Sequence, residues 1–163
     1  MRKKLEIAAN VAIILVAVLL GYVLLDRYVF NRPSAERPTI AAGEKIPLTD
    51  IDWQRNGRTL VLVLQKGCHY CTESAPFYQR LARQAEQSGK VHLIAVLPQA
   101  RKEATDYLGG IGVTISDIRE AKLGTIKVRG TPTLLLVSNT GVVQKAWIGK
   151  LRADGESEVL RSF

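Results

Sequence analysis

Two cysteines, Cys68 and Cys71, stand three positions apart and are the only two in 163 residues. Thiols at this spacing at the start of a helix can close to a disulfide and reopen without distorting the backbone. The first meets the unpaired N–H groups and the positive end of the helix dipole, which favour its thiolate. The second, one turn further in, is more enclosed and suits the task of resolving a mixed disulfide. Lys66 lies two residues upstream, and His69 and Tyr70 fill the dipeptide between the thiols, so all three are expected to tune the couple. Positive charge beside Cys68 stabilises the thiolate, hence the reduced form, and makes the disulfide more oxidising.

The flanking sequence supplies elements able to position such a pair. Thr59 to Leu64 is a β-rich run, apolar on both faces, as a buried central strand requires. A helical stretch follows from about Tyr70 to Gln87 and is stopped by Ser88-Gly89. Val91 to Leu97 is a second buried strand, which makes a right-handed parallel unit with the first. Arg101 to Leu108 reads as a helix ended by Gly109-Gly110, and Ile118 to Leu123 as one or two helical turns. Thr133 to Val137 and Val142 to Trp147 read as an antiparallel hairpin around Ser138-Asn139-Thr140-Gly141, with a final amphipathic helix from Arg152 to Leu160. The expected fold is α/β, a mixed sheet covered on both faces.

The amino-terminal part is different. Arg2-Lys3-Lys4 precedes an uncharged apolar run from Ile7 to Leu25, which as a helix spans roughly 28 Å, close to the thickness of the bilayer hydrocarbon. A signal peptide would have a shorter core and a nearby small-residue cleavage site, so an uncleaved anchor is favoured. The expected organisation is a cytoplasmic end at 1–6, a transmembrane signal anchor at 7–25, a tether at 26–45 and a folded domain at 46–163, with the basic end placed inside.

Net charge is +8, from 23 Lys and Arg against 15 Asp and Glu. The excess is scattered, with no stripe and no recognition motif for nucleic acid, which is therefore not an expected partner. Zinc held by Cys68, Cys71, His69 and His92 is disfavoured because structural zinc sites bring two paired motifs, and neither metal nor cofactor is expected. Phe77, Tyr78, Leu81 and Trp147 read as packing residues.

Strand, Cys-x-x-Cys and helix, followed later by Gly130-Thr131-Pro132-Thr133 before a hairpin, resemble the thioredoxin fold. Pro76 resembles the proline that kinks the active-site helix of that family. Together with the apolar amino terminus, the chain is similar to membrane-anchored thioredoxin-like oxidoreductases of the bacterial periplasm, of the TlpA and cytochrome c maturation type. Ile46-Pro47-Leu48, Trp53 and Asn56-Gly57 resemble their opening hairpin, and the resemblance covers roughly 44–163. It implies an attacking Cys68, a resolving Cys71, and a cis-proline at Pro132 that faces the pair, with the Thr131 backbone receiving an extended substrate. It also implies protein substrates that carry cysteines, a separate redox partner (a membrane protein among the candidates), and residence in the inner membrane with the domain in the periplasm.

The chain departs from the pattern in three places. Lys66-Gly67 stands where the family commonly has tryptophan, Ser74 where the maturation reductases have a proton-transferring glutamate (Glu73 comes one residue early), and Leu62 where thioredoxin has a buried acid. The expected activity is that of a thiol–disulfide oxidoreductase, with reduction favoured. The alternatives are an oxidase or isomerase using the same pair, or a non-catalytic binding or chaperone module.

Overall fold

The structure, a computed structural model, describes residues 13–22 and 40–162. The chain divides into two compact units, Met1–Glu36 and Arg37–Phe163. In the first, residues 13–22 form a helix, α1. The expected segment 1–6, positions 7–12 and 23–25 of the expected span, and the expected tether as far as residue 39 lie outside the described residues. Among the described residues no helix is long and apolar enough to cross a membrane.

The second unit runs α2 (Trp53–Asn56), β1 (Thr59–Val63), α3 (His69–Glu73), α4 (Ala75–Ser88), β2 (His92–Leu97), α5 (Arg101–Gly110), β3 (Asp117–Glu120), β4 (Thr133–Val137), β5 (Val143–Ile148) and α6 (Ala153–Arg161). The five strands form one sheet in the order β3-β2-β1-β4-β5. β1 is central, parallel to β2 and antiparallel to β4, and β2 pairs parallel with β3. Every residue of β1 is buried, which is what an apolar run with no polar face achieves only in the middle of a covered sheet.

Alternation along β1 divides the core in two. Leu60, Leu62 and Leu64 pack with Phe77, Tyr78 and Leu81 of α4, Ala104 and Leu108 of α5 and Val159 of α6. Val61 and Val63 face the other way, onto Ile40, Ile46, Leu48, Ile51, Trp53, Ile126 and Val128. One face is thus covered by three helices and the other mainly by non-helical chain. The segment expected to form an opening hairpin is part of that cover. It makes a single bridge, Lys45 to Val142, and then the short helix α2. The packing begins at Ile40, which is 2% exposed and donates its N–H to the Lys127 carbonyl. Trp53 lies so close to Gly141 that a Cβ there would come within 3.0 Å of the indole, and the +79° φ of Gly141 independently demands glycine.

Two expectations are corrected. The helix expected from Tyr70 to Gln87 is two helices, broken at Ser74. Pro76 sits in the first turn of α4, where its missing N–H leaves no intrahelical bond unmade, so the proline starts a helix rather than kinking one. The helical turns expected at 118–123 are the strand β3 followed by turns. Only Ile118 of β3 is buried, so its sequence carries little local strand signal. Its place is fixed by pairing with β2 and by an ion network. Asp117 accepts from His92 Nε2 at 2.9 Å and from Arg119 Nε at 2.5 Å, and Arg119 also reaches Asp50 at 2.8 Å.

Burial pushes the Asp117 carboxyl up, but the hydrogen bonds and charges of Arg119 and His92 outweigh it and hold the group below its ordinary range. A depressed folded-state pKa stabilises the fold above the unfolded value of about 3.9, and that contribution is lost as pH falls through the folded value. Asp117→Asn is therefore expected to cost about 1–3 kcal/mol at pH 7. The gap between variant and parent, read from urea midpoints, should shrink on acidification to about pH 3.

Candidate active site

The parallel end of β1 delivers the chain into Gln65 to Gly67 and then onto α3. Gly67 has φ +81°, a left-handed conformation that strongly favours glycine. A tryptophan in this conformation before Cys68 would be strained. Cys68 caps α3: its Sγ accepts from the Cys71 N–H at 3.2 Å, and its carbonyl accepts from the Thr72 N–H at 3.2 Å. The two cysteines form a disulfide with Cα atoms 5.2 Å apart. α3 has only five residues, so a Cys68 thiolate would be favoured by the aimed Cys71 N–H more than by a long helix dipole.

The two sulfurs differ in access. Cys68 is half-buried, whereas Cys71 is 0% exposed and packs in the same core cluster as Phe77 and Tyr78. The cluster behind Cys71 contains hydroxyls and no acid. Ser74, 6% exposed, donates to the Tyr70 carbonyl at 2.8 Å. Burial pushes the Tyr78 phenol far above its usual range, and the Tyr107 hydroxyl is buried without a partner among the described residues. No Asp or Glu is buried among the described residues.

The sheet brings Thr131 and Pro132 to the pair. Their peptide bond is cis, and the Thr131 carbonyl oxygen lies 3.3 Å from Cys68 Sγ. Pro132 is buried, and its carbonyl accepts from the Gly149 N–H at 2.7 Å. The start of β4 and the turn after β5 are thereby joined behind the disulfide.

The three residues expected to tune the pair are placed differently from one another. Tyr70 is exposed. Lys66 places its ammonium 2.7 Å from Glu103 on α5, and its backbone N–H donates to Gln99 Oε1. His69, with 77% of its side chain exposed, sits 3.2 Å from Glu73 one turn later. Glu73 also accepts from Lys150 at 3.0 Å, and Lys150 and His69 hold its carboxyl below the ordinary range. The off-register glutamate thus points to the rim, where it links α3 to the turn after β5. Lys150, Glu103 and Gln99 carry no sequence signal for this site, because only the folded sheet brings them near it. His92 lies instead at the start of β2, held by Asp117.

After reduction, this asymmetry of access is expected to make Cys68 alkylate at least about tenfold faster than Cys71, since thiol reactivity follows exposure and thiolate character. Timed iodoacetamide labelling with peptide mass spectrometry measures it, and comparable rates would show that Cys71 is not enclosed.

No family model matches the chain, and no curated protein matches it in sequence. Solved structures do match in fold. A Chlorobium tepidum chain assigned as the thiol:disulfide interchange protein DsbE superposes with a TM-score of 0.59 at 15% identity, covering 76% of this chain and 95% of that one. The thioredoxin domain of a Bacteroides vulgatus thiol-disulfide oxidoreductase gives 0.57 at 20%, covering 77% and 99%. A thiol-disulfide isomerase from Corynebacterium glutamicum gives 0.55 at 16%, covering 79% and 96%. Residues 40–162 therefore have the thioredoxin-like fold of these thiol:disulfide interchange proteins, with Cys68 and Cys71 paired as a disulfide at the end of its central strand.

Proposed function

We propose that the chain is a thiol–disulfide oxidoreductase that acts on protein disulfides outside the cytoplasm, with reduction as its working direction. The observation that carries this is the asymmetric pair: an accessible Cys68 facing the cis Thr131-Pro132 segment, with Cys71 enclosed behind it. In the reduced state the Cys68 thiolate attacks one sulfur of a client disulfide, forming a mixed disulfide and expelling one client thiolate. Cys71 then gives up its proton and attacks Cys68 Sγ, which releases the second client thiolate. The client gains two electrons and, from solvent, two protons, while the chain is left with the Cys68–Cys71 disulfide. A dithiol donor must then restore the pair, and the chain has no third cysteine to serve as one.

The reducing direction is supported by the carboxylates at the rim. Glu103 and Glu73 sit on Lys66 and His69, which reduces what those two residues add to the positive field that makes a couple more oxidising. The apolar run at 7–25, with its basic flank, supports a single membrane span and a domain on the far side. A protein-client site on a tethered domain suits a membrane-bound electron donor.

A titration of the full chain against defined thiol–disulfide buffers tests the direction. A midpoint near about −270 mV is expected for a reductase, and one near about −120 to −180 mV would make it an oxidase or isomerase. Cys71→Ala is expected to accumulate mixed disulfides in cells, visible as adducts on non-reducing gels that vanish on reduction. If Cys68→Ser, Cys71→Ser complements a deletion as well as the parent, the chain is a binding module instead.

A further inference from the structure

Outside α1, only two large hydrophobic side chains among the described residues are exposed, Tyr70 at 57% and Ile148 at 54%. Both belong to the disulfide end of the sheet. Tyr70 lies between the cysteines, and Ile148 ends β5 as the register partner of Thr133, the residue after Pro132. Residues 40–162 bury or half-bury every other large apolar side chain and leave these two at the end of the sheet that carries the disulfide, where an incoming segment can touch them. An aromatic ring is a favoured anchor for such a contact.

The charges near the same segment are unequal. Lys66 is matched by Glu103, and Lys150 by Glu73. Arg129 is exposed and makes no ion pair among the described residues. It stands two residues before Thr131, so its Cα is within about 7 Å of the Thr131 Cα, beside the carbonyl that touches Cys68 Sγ.

We propose that this site selects client segments whose cysteine is flanked by an apolar residue on one side and an acidic residue on the other. The apolar side chain settles on Tyr70 and Ile148, and the carboxylate meets Arg129. This selectivity rests on the thiol–disulfide reading above and specifies its substrate class. An unmatched, exposed guanidinium at the rim steers an acidic segment and repels a basic one.

The test uses the full chain in detergent micelles, fully reduced and freed of reductant, with three symmetrical peptide disulfides built around Leu-Cys-Asp, Leu-Cys-Lys and Ser-Cys-Asp. Each reaction consumes one peptide disulfide and one reduced pair, and yields two peptide thiols and the oxidised chain. Flanking charge alters the leaving thiol itself, so each second-order rate constant is divided by that of dithiothreitol with the same peptide. At low ionic strength the normalised rate for Leu-Cys-Asp is expected to exceed that for Leu-Cys-Lys by about fivefold, and the ratio should collapse in about 0.5 M salt. Arg129→Glu should reverse the order, and Ile148→Ser should remove the advantage of Leu-Cys-Asp over Ser-Cys-Asp.

Equal normalised rates in the parent chain, or an order that Arg129→Glu leaves unchanged, would overturn the selectivity while leaving the dithiol chemistry standing. Failure to reduce any of the three peptides would overturn the oxidoreductase reading and this inference with it.

Discussion

β1 has no polar face. A strand whose five residues are all buried must lie inside a sheet covered on both sides, and that one requirement organises the rest of the domain. It forces β2 and β4 onto its two edges and calls for separate covers over its leucine and valine faces. It also leaves the chain to emerge at only one place, the end that becomes Gln65 to Cys68. The redox pair is therefore fixed to the fully buried central strand through a short turn. Thr131 and Pro132 reach it because β4 is antiparallel to β1 and begins where β1 ends.

The covers differ in kind. Helices α4, α5 and α6 bury the leucine face, as right-handed crossovers between parallel strands dictate for the first two. The valine face is closed by Ile40 to Trp53 and by the turns around Ile126. Such a cover is held by what it docks against, through backbone bonds from Ile40, Gly43 and Ile46 to Lys127, Val143 and Gly141 and through its side chains. The contact of Trp53 with Gly141 and the tie from Arg119 to Asp50 hold it down at separate points.

Much of this was legible before folding. The apolar runs of β1, β2 and β4, the turn that leads into β5 and the spacing of Cys68 and Cys71 are local signals, and the structure has a strand, a turn or a cysteine pair at each. β3 was not legible, because its charged residues find their partners across the sheet edge and only Ile118 enters the core. The break at Ser74 was half-visible in Pro76, which says that a helix is interrupted or begun but not which. The partners of His69 and Lys66 were invisible for a different reason. Glu73 lies in the right stretch of sequence, but Lys150 and Glu103 reach the rim only through β5 and α5, distant in the chain.

Because Cys71 is a core side chain, its oxidation state is coupled to the stability of the fold. A closed thermodynamic cycle joins them: oxidised and reduced chain, each folded and unfolded. Any difference in folding free energy between the two forms must equal the difference between the redox equilibrium of the pair in the native fold and that of the same two thiols in a loose chain. The core side chains that share a cluster with Cys71, Phe77 and Tyr78 among them, therefore enter the electrochemistry along with the residues between the cysteines. The stability gap between the oxidised and reduced domain and the electron-donating power of the pair are two readings of one quantity.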